Sequence, residues 1–293
     1  MTRSLAGRLL TFAAVLSVIV LISALLAPLL YAVLPFPFPR IFDRLLMIGA
    51  IVAFVAFVRM RRETIEPLGM AWAGGSAGLL RRGFATGFVA LAIFALVSVA
   101  TGHARAAVRD LSALQWAWRF ALACFTGLVV GLVEEVLFRG FLFTRLRKSF
   151  FRGRALPAAM LTSFLFFVVH VQNVRRPPAG PDPGFADGMR QVLAFLQSVA
   201  AWPDHWPSVV GLFLFGMVLN LAVIRSGTLW PAIGLHAGCV AFLRLTGLFV
   251  RFDPANTWLW STRRVYDGAA GWAFLLLAGF LLIARLRRDA DTP

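Results

Sequence analysis

A chain of 293 residues that is 60% apolar and only 14% charged, with a mean hydropathy of +0.80, has too much apolar surface for a water-soluble domain. Its net charge of +16 is almost wholly arginine set between apolar runs, which points to topology determinants and attraction to anionic headgroups and away from a nucleic-acid partner. The balance predicts an all-α fold: a polytopic transmembrane helix bundle forming one domain over 1–293, whose long apolar helices satisfy their own backbone polar groups.

Eight spans are expected in chain order. The first, near 9–34, follows Arg3 and Arg8; it is too long for the apolar core of a signal peptide and reads as a retained span. Spans near 41–59 and 83–101 enclose Arg59, Arg61, Arg62, Arg81 and Arg82. Spans near 117–146 and 155–174 enclose Arg145, Arg147, Lys148, Arg152 and Arg154. Spans near 208–224, 230–248 and 269–285 complete the set, and Arg285, Arg287 and Arg288 close the last. With eight spans these clusters share one side, so both termini are expected in the cytoplasm. Arg105, Arg109, Arg175, Arg176, Arg263 and Arg264 fall on the other side. The C-terminal Arg-Asp-Ala-Asp-Thr-Pro carries no lipidation motif.

The longest connection, 175–207, is expected to lie outside the membrane as a connector or a lid. It opens with a proline-rich stretch that breaks helix, then shows an amphipathic pattern near 186–200, with Trp202 and Trp206 as interfacial anchors. Cys124 and Cys239 lie inside apolar runs and give neither a disulfide framework nor a metal pair.

Ionisable groups inside a span are expensive and mark function. The fourth span carries Glu134-Glu135-x-x-x-Arg139. Glu135 and Arg139, four apart, share a face and can pair; Glu134 is rotated about 100° from Glu135 and needs a partner elsewhere. The fifth span carries Ser163, Phe166 and His170, followed by Asn173. If the chain turns near Arg152-Gly153, Glu134 and His170 each lie about 27 Å from the turn, at one level. The seventh span opens Gly227-Thr-Leu-Trp-Pro231-Ala-Ile-Gly-Leu-His236, with Pro231 suited to a first helical turn. Asn220 is a polar group on the sixth span, while His103 and His205 fall in loops, where solvation is the expectation.

The combination Glu134-Glu135-x-x-x-Arg139, Phe166-x-x-x-His170 and His236 over about 116–245 resembles the CAAX-protease and bacteriocin-processing (CPBP, also ABI) family of intramembrane peptidases. The resemblance implies an intramembrane endopeptidase in which Glu134 is the general base, His170 orients the water, His236 stabilises the oxyanion, and Glu135 and Arg139 hold the shape. It implies a peptide or protein substrate, lipidated or not, and a bacterial inner membrane as the setting. Where the family often has Asn, four residues after His236, this chain has Val240; Asn173 and Asn220 are the polar candidates for a replacement donor. No cofactor is favoured. Glu134, His170 and His236 also suit zinc, with water as fourth ligand, although the usual His-Glu-x-x-His spacing is absent. A non-catalytic scaffold, an immunity protein or a transporter is the remaining alternative.

Overall fold

A lipid-embedded backbone has no water to bond with, so its polar groups pair within helices, and the chain is almost entirely helical. The structure, a computed structural model, describes residues 5–60, 69–170, 177–253 and 258–290. The order is α1 (Leu5–Tyr31), α2 (Phe38–Met60), α3 (Ser76–Ala100), β1 (Ala104–Ala106), α4 (Ala113–Glu135), α5 (Ala155–His170), α6 (Phe185–Ala200), α7 (Trp206–Ser226), α8 (Trp230–Thr246), β2 (Val250–Phe252) and α9 (Ala269–Ala290). Five stretches are long and apolar enough to cross a membrane: Ala13–Tyr31, Ser76–Ala100, Ala113–Phe150, Trp202–Ser226 and Ala269–Leu286. Their outward faces carry large apolar side chains such as Leu96, Phe125 and Phe280, which only a hydrocarbon surround makes favourable. The chain is an integral membrane protein. Residues Asn173, Arg175 and Arg176, and with them the start of the 175–207 connection, lie outside the described residues.

The chain divides into two compact units, Met1–Thr64 with Val171–Trp202, and Ile65–His170 with Pro203–Pro293. In the first, Ala24 and Ala27 of α1 pack on Phe38, Ile41 and Phe42 of α2. The amphipathic pattern forms α6, capped where Gly184 N donates to Asp187 Oδ2 at 2.8 Å. Gly188 lets α6 sit directly on Ala24 and Phe42.

The second unit is built around α8, which packs between α3 and α4. Glycine spacing makes this possible. A Cβ at Gly83 or Gly87 of α3 would lie 2.4 Å from a carbonyl of α8, and one at Gly234 or Gly238 would lie 2.1 Å from a carbonyl of α3. Gly127 and Gly131 of α4 meet Ala237 and Ile233 in the same way. Such small-residue faces let membrane helices approach backbone to backbone. The start of α4 is set by Ser112, which accepts from Gln115 N while Gln115 Oε1 accepts from Ser112 N, a reciprocal cap.

Beyond Glu135 the α4 helix does not end. It continues through π-helical turns at Val136–Phe143 and Leu146–Phe150, so the apolar helix runs over Ala113–Phe150, longer at both ends than 117–146. The chain then reverses through Arg152 (φ 50°) and Gly153 (φ 90°) into α5. Phe143 of the π-helical segment packs on Ala158 and Ala159 of α5, which closes the hairpin.

Candidate active site

The paired glutamates take opposite roles because the helix turns them apart. Glu135 points into the bundle and is fully buried, as is Arg139 one turn on, with Arg139 Nη1 3.0 Å from Glu135 Oε1. Arg139 Nη2 donates to the Gly216 carbonyl of α7 at 3.1 Å, and the guanidinium lies over the Phe166 ring, 4.7 Å from its centre. Glu135 Oε1 also accepts from His236 Nδ1 at 2.8 Å. One buried carboxylate therefore ties α4 to α8 and neutralises a buried guanidinium.

Glu134 faces a different way and keeps 23% of its side chain exposed. Its Oε2 is 3.1 Å from His170 Nε2 and 3.8 Å from His236 Nε2. The hairpin thus brings Glu134 and His170 to one level, and α8 brings His236 to the same point. His170 is exposed to a similar degree, 22%, whereas His236 is nearly enclosed at 5%. The groups that touch each other across Glu134 are reachable from outside; those that support them are sealed.

The tautomers follow from the partners. His170 Nδ1 lies 2.8 Å from the Phe166 carbonyl, which can only accept, so Nδ1 carries a proton. His236 Nδ1 faces the Glu135 carboxylate and carries one for the same reason. Both rings consequently turn Nε2 towards Glu134. Phe166 stacks on His170 at 4.1 Å between ring centres and meets His236 edge-on at 6.0 Å, while Phe215 meets His236 at 5.5 Å. Two aromatic rings, Phe166 and Phe215, restrict His236, and Phe166 restricts His170.

Asn220 is fully buried outside this cluster. Its Nδ2 donates towards Ala159 O, Ser163 Oγ and Gly216 O at 3.2, 3.0 and 3.0 Å, so it clamps α5 to α7. It reaches the site through Gly216, whose carbonyl also holds Arg139. Gly216 and Phe215 are absent from the sequence reading: a carbonyl and a ring face have no spacing signature. Asn173 lies outside the described residues. Val240, one turn after His236 on α8, places an apolar side chain where an amide would offer a donor.

His103 does not stand free in solvent: its ring stacks on Trp260 at 4.1 Å. His205 precedes the first turn of α7 and takes no part in the site. Cys124 and Cys239 are both free thiols. Among the described residues, no group of three or more His, Cys, Asp and Glu side chains is arranged to hold a metal ion.

Residues 115–242 match the family model described as type II CAAX prenyl endopeptidase Rce1-like. No curated protein and no solved structure matches the chain. The matched stretch runs from the first turn of α4 to Phe242 of α8 and holds every residue of the Glu134–His170–His236 cluster. Over residues 115–242, less than half of its length, this integral membrane protein is therefore similar to the Rce1-like type II CAAX prenyl endopeptidases.

Proposed function

We propose that the Rce1-like domain is a glutamate-dependent intramembrane endopeptidase in which Glu134 activates a water molecule. The observation that carries this reading is the approach of Glu134 Oε2 to both Nε2 atoms, 3.1 Å to His170 and 3.8 Å to His236. A water beside Glu134 gives one proton to the carboxylate and is oriented by the neighbouring His170, leaving an oxygen lone pair free to attack the substrate carbonyl. As the C–O bond forms, Glu134 takes the proton; as the C–N bond breaks, Glu134 delivers it to the leaving amine.

Charge balance constrains the two imidazoles together. Glu134, Glu135 and Arg139 together carry one net negative charge, and burying an uncompensated charge is costly. One protonated imidazole restores neutrality. With Nδ1 held by Glu135, His236 turns Nε2 to the side where the oxyanion develops, and Glu135 fixes the ring from the other side. This serves where Val240 supplies no amide.

The eight helices other than α6 are the spans, both termini face the cytoplasm, and the setting is a bacterial inner membrane, in line with the arginine distribution. The family model's name refers to prenylated CAAX peptides, and a peptide lipidated near its C-terminus suits a site among lipid-facing helices. The test uses protein reconstituted in liposomes with a farnesylated Cys-a-a-X peptide and its unprenylated form, with products identified by mass spectrometry. Release of the terminal tripeptide from the farnesylated form is expected. Failure to cut any peptide, with the protein folded, contradicts the reading.

A further inference from the structure

We propose a second site, remote from Glu134: the two-stranded sheet beyond the ends of α3 and α8 binds the phosphate of an anionic lipid headgroup between Arg105 and Arg251. The two arginines are direct partners in the antiparallel register, with Ala104 opposite Phe252 and Ala106 opposite Val250. Ala104 and Val250 turn inward, while both arginines are exposed on the outer face. The same register continues where Ala107 N donates to Phe249 O and Asp253 N to His103 O, at 2.9 and 3.1 Å. Arg105 and Arg251 are therefore a hydrogen-bonded pair, with Cα atoms about 5.5 Å apart.

Like charges directly opposite each other destabilise a ladder. Among the described residues neither guanidinium has an ion pair or hydrogen bond to relieve this. Arg109, Arg263 and Arg264 are exposed at the same end, with the Arg263 guanidinium against Gly247. The carboxylates here are Asp110, Asp253 and Asp267, the last engaged by Thr262. A phosphate between two planar forks converts the repulsion into charge-assisted hydrogen bonds.

The surroundings favour a lipid as the bearer of that phosphate. Val108, Trp258 and Leu259 are exposed alongside the arginines. Trp206 packs on Trp258 and Trp272, with ring centres 5.8 and 5.9 Å apart. Exposed apolar groups, clustered tryptophans and arginines together are the composition of a headgroup interface. The site also accounts for arginines on the side that topology rules leave unexplained.

The test photolabels purified full-length protein with phosphatidylglycerol bearing a photoactivatable headgroup and maps the crosslinks by mass spectrometry. Crosslinks are expected within 103–109, 247–253 and 258–264. Unlabelled phosphatidylglycerol is expected to displace them and phosphatidylcholine is not. In R105Q/R251Q the yield is expected to fall roughly twenty-five-fold, at roughly fivefold per arginine. An unchanged yield in that variant overturns the proposal. Displacement by millimolar inorganic phosphate as readily as by phosphatidylglycerol overturns the lipid assignment. Should R105Q/R251Q fail to fold, R105K/R251K keeps the charge without the forks; its yield is expected to drop, and an unchanged yield is equally fatal.

Discussion

Replacing Glu135 by alanine separates support from catalysis. Glu135 is the anionic partner of Arg139 at 3.0 Å and the acceptor for His236 Nδ1 at 2.8 Å, and both acid and guanidinium are sealed from solvent. Glu135→Ala strands the guanidinium with only the Gly216 carbonyl and the Phe166 ring, and breaking a buried pair on one side costs about 3–5 kcal/mol. The pairing is single-point, since Glu135 Oε2 and Arg139 Nε have no hydrogen-bond partner among the described residues. That places the loss near the lower bound, about 3 kcal/mol. His236 Nδ1 loses its acceptor as well, for about 1–3 kcal/mol more. Thermal unfolding in detergent should register a fall of about 10 °C. In E135L/R139L no charge is left stranded, and about 3 kcal/mol should return, leaving only the His236 deficit. If Glu135→Ala unfolds within about 1 kcal/mol of wild type while Arg139 remains, the argument from burial is wrong.

Three further outcomes are expected. Gly238→Val forces atoms into the Phe84 carbonyl, 2.1 Å from the Cβ position, and should lower stability by about 1–3 kcal/mol or more; Gly78→Val, with nothing within 4 Å, should leave the midpoint unchanged. Val240→Asn should raise turnover at saturating substrate by about tenfold or more, because an added oxyanion donor is worth up to a hundred- to a thousandfold. Protein stripped with chelator and checked by metal analysis should keep full activity; loss of activity that zinc restores would replace the glutamate mechanism with a metal-dependent one.

Local geometry was legible in the sequence and contacts between distant segments were not. The four-residue spacing of Glu135 and Arg139 gave their shared face, and the rotation of Glu134 gave its need for another partner. Counting residues to the Arg152-Gly153 turn set Glu134 and His170 at one level, because a hairpin of helices is a ruler. The bond from Glu135 to His236 crosses 101 positions and follows from no spacing. The small-residue pairs Gly83/Gly87 and Gly234/Gly238 do not figure in the sequence reading, and which helix each meets is decided only by packing. Asn220 was visible as a polar group in an apolar run, but its link to Arg139 passes through a backbone carbonyl, which no side-chain pattern reports. The π-helical extension of α4 moved the helix end to Phe150, beyond what hydropathy alone delimits.

Steady-state cleavage by purified, reconstituted Glu134→Gln addresses the water-activation claim directly. The amide keeps the shape of a part-exposed side chain but accepts no proton, so turnover should fall by about a hundred- to ten-thousandfold with the unfolding midpoint unchanged. Wild-type turnover in that variant contradicts the account.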